Sequence, residues 1–290
     1  MRHLGALLEL MRPRQWVKNG FVLIGLLFGH AWRAPATVEA ALVATGAFCL
    51  ASSAVYAFND ALDAARDRLH PDKRDRPVAR GAVSAAEAKG LAAILGIASL
   101  ALAALASPAA AGLVAAYLAM SGAYSLGLKR VAVLDVVIIA AGFMLRLLAG
   151  TLGIGIAPSN WLIVCGFLLT LFLGFGKRRA EIGRLAGDAG AHRAVLEDYS
   201  AAFLDKAIVL CAAGMTLAYA AYTLSTDTAQ LHGTGALVWT LPWVLLGTAR
   251  YLHRLKRRGG GGDPAEELLR DPVLAAAAAG WLATVLWLIG

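Results

Sequence analysis

The sequence predicts an all-α, polytopic membrane protein of about nine transmembrane helices with a cytoplasmic N-terminus. Three observations predict it. The 290 residues have a mean hydropathy of +0.65 and only 16% charged side chains, against roughly 25% in soluble domains. The apolar residues gather into segments of about 20, the length at which an α-helix crosses a hydrocarbon core of about 30 Å. All but two of the 27 Lys and Arg residues, Arg33 and Arg146, fall at alternate segment ends, the distribution left by the preference of cations for cytoplasmic loops.

The first residues, "MRHLGALLELMRPRQW", lack the apolar core and small-residue site of a cleaved signal peptide and read as a short helix on the membrane surface. The nine expected spans follow at 17–34, 38–58, 86–106, 108–126, 132–153, 159–176, 203–224, 235–252 and 272–289. Alternation then places the long connections 59–85, 177–202 and 253–271 on the cytoplasmic side. The far-side loops are short and nearly uncharged, and no chemistry is expected there. The third long connection carries a four-glycine run, 259–262, and reads as a solvated linker followed by a turn or two of helix at "PAEELL". Alanine and leucine in the spans, with Gly142, Gly150, Gly174 and Gly176, suit close helix packing in lipid. The whole chain, 1–290, reads as one transmembrane domain.

Two function classes are set aside by composition. The net charge of +8 is accounted for by loop topology and anionic headgroups, so no nucleic acid is expected as a partner; membrane lipids are. Cys49, Cys165 and Cys211 all fall inside predicted spans without zinc-like spacing, and read as buried thiols. A homo-oligomer is left open.

The chemistry concentrates in "NDALDAARDRLHPDKRDRP", residues 59–77, where ten of nineteen side chains are charged directly after an apolar run. If the second span continues as a helix, Asp60, Asp63 and Asp67 at i, i+3 and i+7 lie within roughly 60° of one another, with Asn59 beside them. Hard oxygen ligands on that pitch suit Mg²⁺, which takes one or two carboxylates, keeps waters and is completed by substrate phosphates. Ionisable groups rooted in a membrane segment are functional candidates. Pro71 and Pro77 then shape a loop that brings Lys73, Arg74, Arg76 and Arg80 beside the acids. Arginines next to a metal site form a cradle for phosphate, so the pair of features points to a polyanionic substrate such as a diphosphate. Weaker candidates are Lys18 and Asn19 at the end of the first span, Lys129 in a tight turn, and Arg146 midway along the fifth span. An unpaired charge there is expensive, and it is expected to face a polar cavity.

Five ordered motifs carry a resemblance: "RPRQWVKN" at 12–19, the stretch 59–77, "YSLGLKR" at 124–130, "LDVVIIAAGFMLRLLAG" at 134–150 and "GKRRAEI" at 176–182. Together they resemble the UbiA superfamily of intramembrane prenyltransferases, and within it the branch that transfers phosphoribose to a polyprenyl (decaprenyl) phosphate. The resemblance implies a UbiA-like helix bundle in a bacterial cell membrane, Mg²⁺ at Asp60, Asp63 and Asp67 as the catalytic carboxylates, and 5-phosphoribosyl diphosphate and a polyprenyl phosphate as substrates. It also implies a product destined for arabinose donors of cell-envelope polysaccharide. Aromatic prenyltransferases of the superfamily carry a second acidic motif after the sixth span. This chain departs from that, offering Lys177, Arg178 and Arg179 with the single acid Glu181, a set suited to binding phosphate directly. Prenyl transfer to an aromatic acceptor is the alternative the missing acids speak against, and a non-enzymatic transporter or scaffold is the third reading.

Overall fold

The computed structural model describes residues 2–71, 73–185, 194–257 and 264–290. The described residues contain helices, turns and no strand. They form two compact units, Met1–Pro158 and Ser159–Gly290.

In the first unit, α1 (Arg2–Met11) buries Ala6 and Leu10 and leaves Leu4 and Leu8 exposed. A 3-10 helix, Pro13–Leu23, runs into α2 (Ile24–Phe28), and then α3 (Pro35–Asp67), α4 (Ala85–Ala106), α5 (Pro108–Leu126) and α6 (Leu134–Ala149) follow. The chain sets these boundaries by familiar chemistry. Pro35 and Pro108 sit in the first turn of α3 and α5, where the missing N–H is no loss and the fixed φ is already helical. Ser84 and Glu87 close a reciprocal cap at the start of α4. Small side chains on α3, including Ala44, Ala47 and Ala51, pack with Phe48, Val114 and Tyr117 into one core cluster, the close backbone approach expected of helices in lipid.

The length of α3 positions the site. Its 33 residues reach about 50 Å at 1.5 Å per residue, some 20 Å more than the hydrocarbon core requires. The acidic end, Asp60 to Asp67, takes up about 12 Å of that excess. A second cluster wraps it: Ala6 and Leu10 of α1 and Val78 and Val83 of the following loop pack on Ala57, Ala61 and Ala64.

The second unit comprises α7 (Asn160–Leu185), α8 (Ala201–Leu224), α9 (Thr226–His232), a 3-10 turn at Ala236–Thr240, α10 (Leu241–Lys256), α11 (Pro264–Arg270) and α12 (Pro272–Ile289). Gly176 lets α7 approach Tyr251 of α10, and Gly280 lets α12 approach Trp243.

Among the described residues seven helices are long and apolar enough to cross a membrane. The expected first and eighth spans are built differently. Residues 17–34 are not one α-helix but the 11-residue 3-10 stretch with the short α2 after it. At about 2.0 Å per residue, Pro13–Phe28 covers about 30 Å with only 16 residues. Residues 235–252 begin as a 3-10 turn before the 16-residue α10. The expected loop 177–202 is also corrected in part: α7 continues to Leu185, so Lys177 to Glu181 are helical. Residues 186–193 and 258–263, with the glycine run, lie outside the described residues, as does Asp72.

Candidate active site

A polar stripe runs up α3 at helical spacing through Cys49, Ser53, Tyr56 and Asp60, and Asp60, Asp63 and Asp67 form its acidic end. Each carboxylate meets a cation. Asp60 is 2% exposed; its Oδ1 accepts from Arg12 Nη2 at 2.7 Å and Arg76 Nη1 at 3.3 Å. The same Arg76 nitrogen donates to Asp67 Oδ2 at 2.7 Å, so one guanidinium bridges two buried acids. Lys129 Nζ reaches both oxygens of Asp63, at 3.0 and 2.8 Å, and Arg66 lies 3.8 Å from it.

The expected three-carboxylate metal cluster is not preformed: among the described residues no three acidic, histidine or cysteine side chains are gathered to hold an ion. The reason is electrostatic. Three like charges on one helical face repel, and here cations hold them: Arg76 is shared by Asp60 and Asp67, Arg12 adds to Asp60, and Lys129 takes Asp63. The donor set still fits a hard divalent ion, because Asp60 Oδ2 is buried with no hydrogen-bond partner among the described residues. A dry, unpartnered carboxylate oxygen is costly, and one or two carboxylates suffice when phosphates complete the shell.

The loop after α3 divides its cations. Arg76 joins the acids, Lys73 is half-buried and Arg74 is exposed. Arg80, expected in the phosphate cradle, is drawn away to α1: its two Nη atoms lie 3.0 and 2.7 Å from the Glu9 carboxylate oxygens. That paired hydrogen bond holds its guanidinium above its ordinary pKa. Asn59 and Lys18 are half-buried.

Arg146 and Asn19 meet each other. The Arg146 guanidinium is buried and its donors are met by protein groups. Its Nε donates to Asn19 Oδ1 at 2.8 Å, Nη1 to the Gly142 carbonyl at 2.8 Å and Nη2 to Tyr117 OH at 3.0 Å. The Tyr117, Phe143 and Phe48 rings stand 4.6, 5.4 and 5.6 Å from its guanidinium carbon. Asn19, fully buried, donates in turn to Cys49 Sγ and Ser52 Oγ at 3.2 and 3.3 Å. Besides the carbonyl one turn back on its own helix, the charge is satisfied by Asn19 and Tyr117, 127 and 29 positions away, which local spacing does not reveal. The pair joins the 3-10 stretch to α3 and α6 rather than presenting donors to a substrate.

In the second unit Arg178 is buried and paired with Glu181 one turn on, and Arg179 Nε donates to Asp205 at 2.8 Å. Lys177 is half-buried. The third connection is better fastened than a linker: Arg250 grips Asp271 with contacts of 2.7 to 3.1 Å, and Arg254 pairs with Glu267. Asp271 also caps α12 through the Val273 and Leu274 amides. The Arg250 hydrogen bonds, aided by those amides, bring its pKa down to about 2.

Sequence reasoning missed Arg12, Glu9, Tyr117, Ser52 and Ser53. Arg12 stands in the quoted "RPRQW" run, but its left-handed backbone, φ 53°, is what directs it to Asp60, and no local pattern announces that. The serines were legible as polar breaks in an apolar helix on the face that leads to Asp60.

A family model described as the UbiA prenyltransferase family matches residues 20–268. The chain is 36% identical over 293 residues to a decaprenyl-phosphate phosphoribosyltransferase of Mycolicibacterium smegmatis, covering 96% of this chain and 91% of that one. It is 34% identical to the protein of the same name from Corynebacterium glutamicum, covering 95% and 84%. Among solved structures, a UbiA homolog from Archaeoglobus fulgidus bound to GPP and Mg²⁺ superposes with a TM-score of 0.75 at 18% identity, over 98% of this chain and 99% of that one. That likeness speaks to the fold.

Proposed function

Because the chain belongs to the UbiA prenyltransferase family, we propose that it transfers the 5-phosphoribosyl group from 5-phosphoribosyl diphosphate to a polyprenyl phosphate, releasing diphosphate. The observation that carries this reading is the pairing of one carboxylate cluster, each acid already faced by a cation, with a second motif that is basic. Glu181, the single acid there, is committed to Arg178, so the second motif has no free carboxylate pair with which to build a second diphosphate-metal cage. The names of the relatives agree with the reading.

Asp60, Asp63 and Asp67 would hold Mg²⁺, which supplies charge neutralisation for the departing diphosphate. Arg76, Lys129 and Arg12 lie within ion-pair distance of those carboxylates and are assigned to the phosphate oxygens of the donor, Arg76 and Arg12 by paired donation. Lys73 and Arg74 follow on the same loop. Lys177 is assigned to recognition of a phosphate by the second unit, and Arg178, buried and paired with Glu181, would join it only by exchanging that carboxylate for the phosphate. The acceptor needs no strong base: a phosphate monoester is largely ionised at pH 7, and its oxygen attacks C1 of the ribose as the C1–O bond to diphosphate breaks. Orientation and electrostatic stabilisation are the chain's contribution. The reading also puts the N-terminus and the acidic end of α3 on the cytoplasmic side of a bacterial cell membrane, and the gathering of Lys and Arg at alternate segment ends supports that orientation.

The test is direct. Purified protein with Mg²⁺, labelled 5-phosphoribosyl diphosphate and a polyprenyl phosphate should yield ribosylated lipid and free diphosphate. Transfer of a prenyl group from a prenyl diphosphate to an aromatic acid, without ribosylation, overturns the reading.

A further inference from the structure

We propose that Arg146 is a positioning residue, which locks the 3-10 segment Pro13–Leu23 in place so that Arg12 stays seated on Asp60. The proposal rests on the transfer reading above only for its kinetic arm.

Four observations meet in this segment. First, 3-10 helices rarely run beyond three or four residues because their hydrogen bonds are poorly aligned, yet this one runs for 11. Something outside it must hold its pitch. Second, it is pinned along its length. At the start, Ser53 Oγ donates to the Met11 carbonyl at 2.9 Å and accepts from Trp16 Nε1 at 3.0 Å. In the middle, Asn19 is fixed to α3 through Cys49 and Ser52 and to α6 through Arg146. At the end the backbone meets α6 so closely that a Cβ on Gly150 would stand 1.6 Å from the Val22 carbonyl oxygen. Third, Arg12 holds a left-handed conformation, φ 53° and ψ 60°. A non-glycine residue stays there only when its surroundings over-determine it. Fourth, the guanidinium of Arg146 is spent on the Asn19 carbonyl, a main-chain carbonyl and a phenol, and is walled by three rings. It is arranged to hold protein in place.

The parts form one lever. Arg146 fixes Asn19, Asn19 with Trp16 fixes the segment against α3, and Arg12, the residue just before the segment, delivers a cation to the most buried acid of the cluster. Loosening the far end frees the near end, seven residues away.

The experiment replaces Arg146 with methionine, unbranched and uncharged, and reads three quantities. Amide exchange across residues 13–23 should accelerate while that of 85–106 stays as in the parent. Binding of magnesium pyrophosphate by calorimetry should weaken about tenfold, equivalent to about 1.4 kcal/mol, and KM for 5-phosphoribosyl diphosphate should rise in step while KM for polyprenyl phosphate holds within about twofold. Finally, Arg12→Ala combined with Arg146→Met should lose no more affinity than Arg12→Ala alone, the signature of two residues acting through one contact. Should Arg146→Met fail to fold, Tyr117→Phe removes the hydroxyl that accepts from Arg146 Nη2 and keeps the ring, and is expected to shift the same quantities by a smaller factor. Unchanged exchange at 13–23, equal loss for both substrates, or additive losses in the double variant overturn the proposal. A parent protein that binds no magnesium pyrophosphate overturns the transfer reading instead, and the exchange measurement still decides the role of Arg146.

Discussion

Replacing Arg76 with methionine should move metal binding and diphosphate binding in opposite directions. The Arg76 nitrogen stands 2.7 Å from Asp67 Oδ2 and 3.3 Å from Asp60 Oδ1, on two of the carboxylates assigned to the divalent ion. An ion arriving alone must first displace this guanidinium. A hydrogen bond to a charged group contributes about 1.5–3 kcal/mol net, and at 1.4 kcal/mol per decade that competition weakens metal binding by about 10- to 100-fold. Without Arg76 the two acids face each other, so Mg²⁺ alone should bind about 10- to 100-fold more tightly. With diphosphate present the sign reverses, because the guanidinium released from the acids is then missing from the phosphate oxygens; pyrophosphate affinity should fall by about tenfold or more. Calorimetry on the purified protein reads both, first with Mg²⁺, then with pyrophosphate at saturating Mg²⁺. Thermal unfolding supplies a check: the variant starts lower, having two like charges close together, and Mg²⁺ should raise its Tm more than that of the parent. A folded Arg76→Met protein whose Mg²⁺ affinity is unchanged or weaker refutes the displacement argument.

Other outcomes follow from the same geometry. Asp60→Ala and Asp63→Ala should each abolish phosphoribosyl transfer while the protein stays folded in the membrane, and near-parental turnover in both would remove the metal site from α3. Gly150→Ala should prevent proper folding, seen as loss of the monodisperse peak on size-exclusion chromatography, because its Cβ would meet the Val22 carbonyl at 1.6 Å; overpacking usually costs about 1–3 kcal/mol, and here backbone must move. Asp271 has its pKa lowered to about 2, so its charge stabilises the fold fully above the ordinary carboxylate value of about 3.9 and loses that effect as pH falls to about 2. The Tm advantage of the parent over Asp271→Asn should therefore be steady above about pH 4 and vanish toward pH 2; an advantage that persists at pH 2 contradicts a charge-based clasp.

Residues that act through periodicity were legible in the sequence. Asp60, Asp63 and Asp67 lie at the end of a long apolar helix, as their i, i+3, i+7 spacing predicts, and the basic "GKRRAEI" stretch could be read as a departure from an acidic motif. What stayed hidden depends on partners far along the chain. Arg146 and Asn19 are 127 positions apart, and so Arg146 read as a charge in search of a cavity. Arg80 read as a phosphate ligand because Glu9, 71 positions away, carries no mark of its destination. The expected first span was read from apolar length alone, and the 3-10 pitch of Pro13–Leu23 follows from tethers to Ser53, Arg146 and Gly150 that the length does not announce.

These two levels of legibility meet on α3. Its polar stripe does two jobs in sequence along one helix face: Cys49, Ser52 and Ser53 anchor the 3-10 segment, and Asp60 to Asp67, beginning about 12 Å further along at 1.5 Å per residue from Ser52, carry the charge cluster. Because both halves belong to one continuous helix, the anchor fixes the height of the segment relative to the acids. Arg12 therefore reaches Asp60 at 2.7 Å without needing any contact of its own with the rest of the acidic motif. A helix break between Ser53 and Asp60 would leave every side chain of the site in place in the sequence and still separate Arg12 from Asp60. The continuity of the helix from Ser53 to Asp60 is as much a part of the site as the aspartates themselves.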